Sequence, residues 1–515
     1  MESAQLLVVS FIIFVVWILR NNIIEIQKRT SNKWDILKFL SWCPILLFCF
    51  SLLGVLVPLA RIYRMIISIV LKFKLGHEYC NVLKEMNYLM AYDTSENCFI
   101  KTLIIIEYNK VLAKKHFYDY TKEILKKRRL EQKIPKEFFA TVHKFMGYLF
   151  LRNIKIEIMD IFRSLPVTKD LDKNELMKVL KECFYEPLPL NGTALWDVYV
   201  GTQPLKNWRK NPNADVEYYP LFFRTHHLLA DGINLTKLFT SLFEDDKEMF
   251  IPNKVIPEKS FFQKIIKYSP VVYSTCVTFL SCAYLFLLHK GYDSNDLHGK
   301  PYKHKEVLET HFDKERYYFQ KVKNIKMMCP TVRFPQVLLM AYAASLYEYF
   351  EKHSEKLPNC ITIALPVCRD SNQIQKILSG DMDPTDVTAT NQFTFLQLQL
   401  PIDISKHKYF NSNAPLTSRL YIVGHLMDTL QNSNEYQISN IILYKLLGSL
   451  PVWFVKKFGD TIHNTSLGSF LPGPPKQNFC DVYKISDWMF WAAHLTQLGI
   501  CITAITFDNH LAMGI

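Results

Sequence analysis

The sequence predicts an α/β protein of two globular blocks behind an N-terminal membrane-anchoring helical region. Three observations predict this. The run Phe39–Ala60 carries no charge and is long enough to cross about 30 Å of hydrocarbon. Beyond Leu75, β-branched and aromatic runs alternate with runs of helical periodicity. A further apolar run, Val271–Leu288, divides that mixed sequence in two. The expected layout is an anchor at 1–80, a first α/β block at 81–260, an apolar connector at 261–300 and a second α/β block at 301–515.

Leu6–Leu19 is apolar apart from Ser10, short for a span, and preceded by Glu2 without a basic residue. That pattern does not fit a cleaved signal peptide. Arg20, Lys28, Arg29, Lys33 and Lys38 precede the run Phe39–Ala60, and Arg61, Arg64, Lys72 and Lys74 follow it. With both flanks basic, the charge rule for topology does not choose, and a membrane hairpin with both flanks cytosolic satisfies it. Lys101–Glu107 reads as a strand, and the basic stretch Lys122–Lys136 as a solvated helix or helix end. Leu195–Val200 and Tyr218–Thr225 read as strands from their aromatic and β-branched content. Ile233–Phe243 places Leu235, Leu238, Phe239, Leu242 and Phe243 on one helical face. In the second block Val337–Phe350 is apolar almost all round, which predicts a buried helix. Strands are expected at Cys360–Val367, Phe393–Leu400 and Ile500–Phe507.

Lys and Arg number 61 against 48 Asp and Glu, a formal charge of +13, while 49% of residues are hydrophobic. This composition excludes collagen-like and disordered chains. The basic residues are not interleaved with stacking aromatics in a recognisable module, so no nucleic acid is expected. An anionic membrane surface or a phosphate-bearing substrate fits the charge. The 12 cysteines form no Cys-x-x-Cys pair, and Cys43, Cys49, Cys276 and Cys282 sit in apolar runs. Buried thiols in a reducing compartment are expected, with no metal site. Asn-x-Ser/Thr sequons begin at Asn191, Asn234 and Asn464.

One motif carries chemistry. His226-His227-Leu228-Leu229-Ala230-Asp231-Gly232 lies between an expected strand and an expected helix. A strand end presents an imidazole at a fixed place, and imidazole is the natural general base near neutral pH. Asp231 can turn back to hold the backbone or pair with an arginine, and Gly232 permits a tight, left-handed turn into the helix. A second His-x-x-x-Asp, at His289 and Asp293, lacks the following glycine and reads as incidental.

The HHxxxDG pattern and its flanks resemble the wax ester synthase/diacylglycerol acyltransferase branch of the acyl-CoA-dependent acyltransferases. The resemblance runs from about Asn87 to the end of the chain. Leu188–Trp196 is similar to the family segment ending in Pro-Leu-Trp, with Ala194 in place of proline. Leu365-Pro366-Val367-Cys368-Arg369 resembles Pro-Val-Ser-x-Arg, and Asn391-Gln392-Phe393 resembles Gly-Asn-x-Phe. Ser469-Phe470-Leu471-Pro472-Gly473-Pro474 resembles Ser-Asn-Val-Pro-Gly-Pro, with Phe470 where the family has asparagine. The family's Asn-Asp pair at the start of the second block's helix is missing from Thr331–Val337.

This resemblance implies two chloramphenicol-acetyltransferase-like domains with a tunnel between them. It implies an O-acyltransferase that moves a fatty acyl group from acyl-CoA, a co-substrate with no cofactor, to a long-chain alcohol or diacylglycerol. His227 would be the base, with His226, Asp231 and Gly232 shaping the turn. Trp196, Arg369, Asn391, Pro472 and Gly473 would contact substrate. A lipid acceptor implies a membrane, and the resemblance implies the endoplasmic reticulum with the catalytic domains in the cytosol. The departures at Phe470 and Thr331–Val337 keep a second reading open, a lipid-binding membrane protein that retains the fold with little or no turnover.

Overall fold

The computed structural model describes residues 2–29, 33–91, 98–209, 215–243, 261–288, 295–298, 308–313, 316–379, 387–459, 464–474, 478–479, 483–493 and 498–515. Two six-stranded sheets organise the part of the chain that follows the N-terminal helices. The first runs, edge to edge, through Asn478–Phe479, Tyr483–Trp491, Phe99–Asn109, Val216–His226, Trp196–Val200 and Phe162–Ser164. The second runs through Phe393–Pro401, Cys360–Cys368, Ser466–Pro472, Ile500–Phe507, His510–Gly514 and Thr310–Phe312. Every strand expected from the sequence is present. The strand Phe99–Asn109 has Ile104, Ile105 and Ile106 fully buried, so both of its faces are covered and a continuous apolar run is what it requires.

The halves are not separate in space. Tyr483–Trp491, from the expected second block, pairs antiparallel with Phe99–Asn109 of the first. Residues 301–515 are therefore not a single unit, because their late strands complete the first sheet. The helix expected at 337–350 extends over Phe334–His353 and buries one side only, leaving Ala341, Ser345, Glu348 and Tyr349 exposed. The basic stretch ends a helix, Phe117–Leu130, but Arg128 is buried and its Nε donates to the Leu242 carbonyl at 3.0 Å. Arg129 pairs with Glu157 at 3.0 Å, so Lys126 and Lys127 are what remains of the solvated face.

Two N-terminal helices, Glu2–Arg29 and Lys33–Leu75, are long and apolar enough to cross a membrane. The first is a single helix well beyond its apolar run. The second has 43 residues, about 65 Å at 1.5 Å per residue, roughly twice the hydrocarbon thickness. Its N-terminal half turns Phe48 and Val55 outward, 70% and 62% exposed. Its C-terminal half joins the main hydrophobic core: Ile67 and Leu71 are buried there, Arg61 Nε donates to Ser449 Oγ at 3.0 Å, and Arg64 Nη1 donates to the Gly448 carbonyl at 2.6 Å. The connector forms a third helix, Phe261–Leu287, whose Tyr284 and Leu285 cluster with Ile26 of the first N-terminal helix and Phe39 and Leu46 of the second. Cys43 and Cys282 are buried as expected, whereas Cys49 and Cys276 lie on exposed helix faces.

Across the strands that lead into the histidine motif, Arg224 stands opposite Asp197. Arg224 Nε donates to Asp197 Oδ1 at 2.8 Å, a second guanidinium N–H donates to Oδ2, and Nη1 donates to the Glu186 carbonyl at 2.6 Å. Both side chains are buried. Removing one partner of such a pair leaves an uncompensated charge. Asp197→Ala is expected to lower the unfolding free energy by about 3–5 kcal/mol, measured by denaturant titration in detergent. Adding Arg224→Met to that variant is expected to restore most of the loss.

Candidate active site

The strand Val216–His226 delivers the motif, and the neighbouring chain ends grip it from both sides. The His226 N–H donates to the Leu195 carbonyl at 2.8 Å and the His227 N–H to the Cys98 carbonyl at 2.9 Å. A turn closes from the Leu229 N–H to the His226 carbonyl at 3.0 Å, and the helix Gly232–Phe243 starts directly after it.

The two imidazoles are held in opposite tautomers. His226 Nδ1 accepts from the Leu228 N–H at 3.1 Å, so its proton sits on Nε2. His227 Nδ1 lies 3.0 Å from Asn391 Oδ1. The Asn391 amide is oriented by its other end, because Nδ2 donates to the His227 carbonyl at 2.7 Å. Oδ1 is therefore the atom that faces the ring, His227 Nδ1 carries the proton, and Nε2 is left as the basic nitrogen. Burial pushes His227 down to about 4, against the opposing pull of its own backbone hydrogen bond and of Asn391. Burial and the neighbouring His227 push His226 down to about 3. Both rings are neutral at physiological pH.

Asn391 belongs to a short segment, 389–392, that crosses from the second sheet to the motif. Its N–H donates to Asn87 Oδ1 at 2.8 Å, and Asn87 Nδ2 donates to the Ala389 carbonyl at 2.9 Å. The Tyr444 hydroxyl donates to the carbonyls of Asn391 at 3.1 Å and Phe393 at 2.6 Å. Asp231 accepts from the Asn234 N–H at 2.8 Å and from the Gln392 N–H at 2.6 Å. Of the two roles open to it from the sequence, Asp231 therefore holds backbone. Burial raises its carboxyl pKa, and those backbone donors oppose the rise. Asn234 is buried and gives its amide to the Thr390 carbonyl at 2.8 Å, which removes its sequon from the surface. Asn87, Asn234 and Tyr444 carried no signal in the sequence as site residues.

Gly232 is needed for a different reason from the one expected. Its φ is not positive; instead, a Cβ there would stand 2.5 Å from Leu471 Cδ1. His227, Asp231 and Gly232 line a cavity of about 70 Å³ closed by apolar side chains, among them Phe393, Phe395 and Phe470. A larger cavity of about 1100 Å³ reaches Asn391 and Gln392 from another side and includes Arg369, whose guanidinium stacks 4.0 Å from the centre of the Tyr444 ring. The structure thus brings His227, His226, Asp231, Gly232, Asn391 and Arg369 together.

Trp196, Pro472 and Gly473 line neither cavity. The Trp196 indole is buried, and its Nε1 donates to the Phe138 carbonyl at 2.9 Å, so it acts in the core. Pro472 ends a strand opposite Thr506, and Gly473 lets the chain pass that residue, since a Cβ would stand 1.8 Å from the Thr506 carbonyl oxygen. Where the Asn-Asp pair is missing, Gln336 caps its helix by accepting from the Arg333 N–H at 2.7 Å. His289 and Asp293 lie outside the described residues. Among the described residues no group of three or more His, Cys, Asp or Glu is arranged to hold a metal ion.

Residues 389–515 match the family model of the WS/DGAT C-terminal domain, a segment that begins at the crossing strip Ala389–Gln392. No curated protein matches the chain by sequence. Among solved structures, the trichothecene 15-O-acetyltransferase from Fusarium sporotrichioides aligns with a TM-score of 0.55 at 13% identity, over 84% of this chain and 89% of that one. The wax ester synthase/diacylglycerol acyltransferase from Marinobacter aquaeolei VT8 aligns at 0.49 and 14% identity, over 84% and 92%. The likeness to the trichothecene enzyme is one of fold, the two-domain acyltransferase fold. The chain thus has the two-domain acyltransferase fold, and its residues 389–515 form a WS/DGAT C-terminal domain.

Proposed function

We propose that the protein moves a fatty acyl group from acyl-CoA to the hydroxyl of a lipid acceptor, a long-chain alcohol or diacylglycerol, giving a wax ester or triacylglycerol. The observation that carries this reading is the His227–Asn391 pair, which leaves a neutral imidazole with Nε2 free to accept a proton at the wall of an apolar cavity. Nε2 takes the acceptor hydroxyl proton as the oxygen attacks the thioester carbonyl carbon. The tetrahedral intermediate collapses, the carbon–sulfur bond breaks, and the CoA sulfur leaves with the proton returned from Nε2. No acyl-enzyme is needed. The two N-terminal apolar helices support membrane attachment, and we place the protein in the endoplasmic reticulum membrane with its catalytic part in the cytosol.

His227→Ala is expected to reduce ester synthesis in microsomes by about 10²–10⁴-fold, the usual worth of a positioned general base. Near-wild-type synthesis by this variant would refute the assignment. Acyl-CoA binding by the wild type without any ester product would favour a lipid-binding protein that retains the fold.

The pH dependence follows from the depressed basicity of His227. The base is lost only when Nε2 is protonated, which happens below about pH 4 rather than below 6.5. The rate constant kcat/KM is therefore expected to stay level between about pH 7.5 and 5.5, where a histidine of ordinary pKa would lose about tenfold. Asn391→Ala is expected to lower the plateau, because the ring is then free to take the unproductive tautomer.

A further inference from the structure

The larger cavity lies between the connector helix and the catalytic pair. At one end its wall is Asn391 and Gln392, one hydrogen bond from His227; at the other it is Val272, Thr275 and Cys276 of the connector helix. That helix is fixed from two sides. Towards the anchor, Asn22 Nδ2 donates to the Val277 carbonyl at 2.7 Å and Asn22 Oδ1 accepts from the Ser281 N–H at 2.8 Å, while Phe50 meets Phe279 edge-on at 4.7 Å. Towards the catalytic part, Asn434 Nδ2 donates to Thr278 Oγ1 at 3.0 Å and to Ser274 Oγ at 2.5 Å. Val272 and Tyr273 remain exposed at 59% and 60%, on a helix that packs against the apolar anchor.

The wall's chemistry selects what enters. Its charged residues are Lys84, Glu85, Arg369 and Asp370, two of each sign, which gives no excess of positive charge for the phosphates of CoA. Asn81, Asn87, Gln392, Gln437 and Asn440 add uncharged polar groups to the wall. Such a wall suits an uncharged ligand with a hydroxyl. At about 1100 Å³ the space exceeds the roughly 300–1,000 Å³ that holds a drug-sized ligand, so it accommodates a polar head and part of a chain.

We propose that this cavity is a lateral entrance through which a neutral, hydroxyl-bearing lipid passes from the bilayer, beside the connector helix, to the Asn391 side of the catalytic pair. The proposal rests on the acyltransferase reading and adds the route and polarity of the acceptor. The entrance explains why the connector is bonded to both the anchor and the catalytic part instead of hanging between them.

The test uses the full-length protein in neutral phospholipid vesicles with two acceptors, hexadecanol in the bilayer and butanol in the water. Val272→Trp and Thr275→Trp narrow the entrance, and each is expected to lower the hexadecanol-to-butanol rate ratio by about tenfold or more. A hexadecanol carrying a diazirine is expected to label the peptide Val272–Leu287 of the unsubstituted protein, with excess hexadecanol suppressing the label. This readout does not depend on any variant folding. An unchanged ratio in folded variants, or a label that falls elsewhere, overturns the entrance. If the unsubstituted protein labels at the connector but makes no ester from either alcohol, the acyltransferase reading fails while the lipid site stands.

Discussion

The strip Ala389–Gln392 is what the catalytic geometry depends on. It leaves the second sheet, and its polar atoms meet the histidine motif at three successive residues: Thr390 through its carbonyl to Asn234, Asn391 through its side chain to His227, and Gln392 through its N–H to Asp231. Each bond joins groups from opposite halves of the chain. A histidine at a strand end is positioned by its own backbone, but its tautomer is not. Only a fixed acceptor at Nδ1 sets that, and here the acceptor comes from the other sheet. The two halves must therefore close correctly before the imidazole has a defined basic nitrogen. Tyr444 and Asn87 reinforce the strip from behind, so its carbonyls and N–H groups are bonded on both sides.

The exchange of strands serves the same constraint. Because Tyr483–Trp491 completes the sheet that carries His226, the halves cannot separate without breaking a strand pairing at the centre of the first sheet. The second N-terminal helix extends this continuity, since Arg61 and Arg64 bond the segment around Ser449 while Ile67 and Leu71 enter the core. The part of the chain that carries the histidine motif is thus fixed in position relative to the N-terminal helices. The apolar excess of the sequence is divided accordingly, with Phe48 and Val55 facing outward and Ile104–Ile106 facing inward.

Strands and their approximate ends were legible because each is a short apolar run between breakers, and the histidine turn because its residue types and order are restrictive. What was not legible depends on partners far along the chain. Tyr483–Trp491 reads like any strand of the second block, and nothing local assigns it to the first sheet. Asn87, Asn234 and Tyr444 are common residue types whose roles appear only when the strip is folded against them. Arg128 reads as one of four cations in a row, yet helical rotation turns it inward onto the Leu242 carbonyl. Gly232 and Trp196 were flagged by their motifs, but close packing against Leu471 explains the first and core packing at Phe138 the second.

Burial at the site has two opposed consequences for the base proposed at His227. It lowers the basicity of His227 from an ordinary value to about 4, a loss of about 3 kcal/mol in proton affinity. It also keeps the ring neutral, so that Nε2 is available at any physiological pH. A base this weak cannot generate a free alkoxide, and it does not need to. If proton transfer accompanies attack on the thioester, the ring is called on as charge develops, when Asn391 Oδ1 can stabilise the forming imidazolium through the Nδ1 proton. The asparagine is neutral, so it offers this without the permanent charge of a carboxylate, which would raise the resting pKa and protonate the ring before substrate arrives. A neutral orienting partner is the choice that keeps this half-buried imidazole protonated at Nδ1 and unprotonated at Nε2.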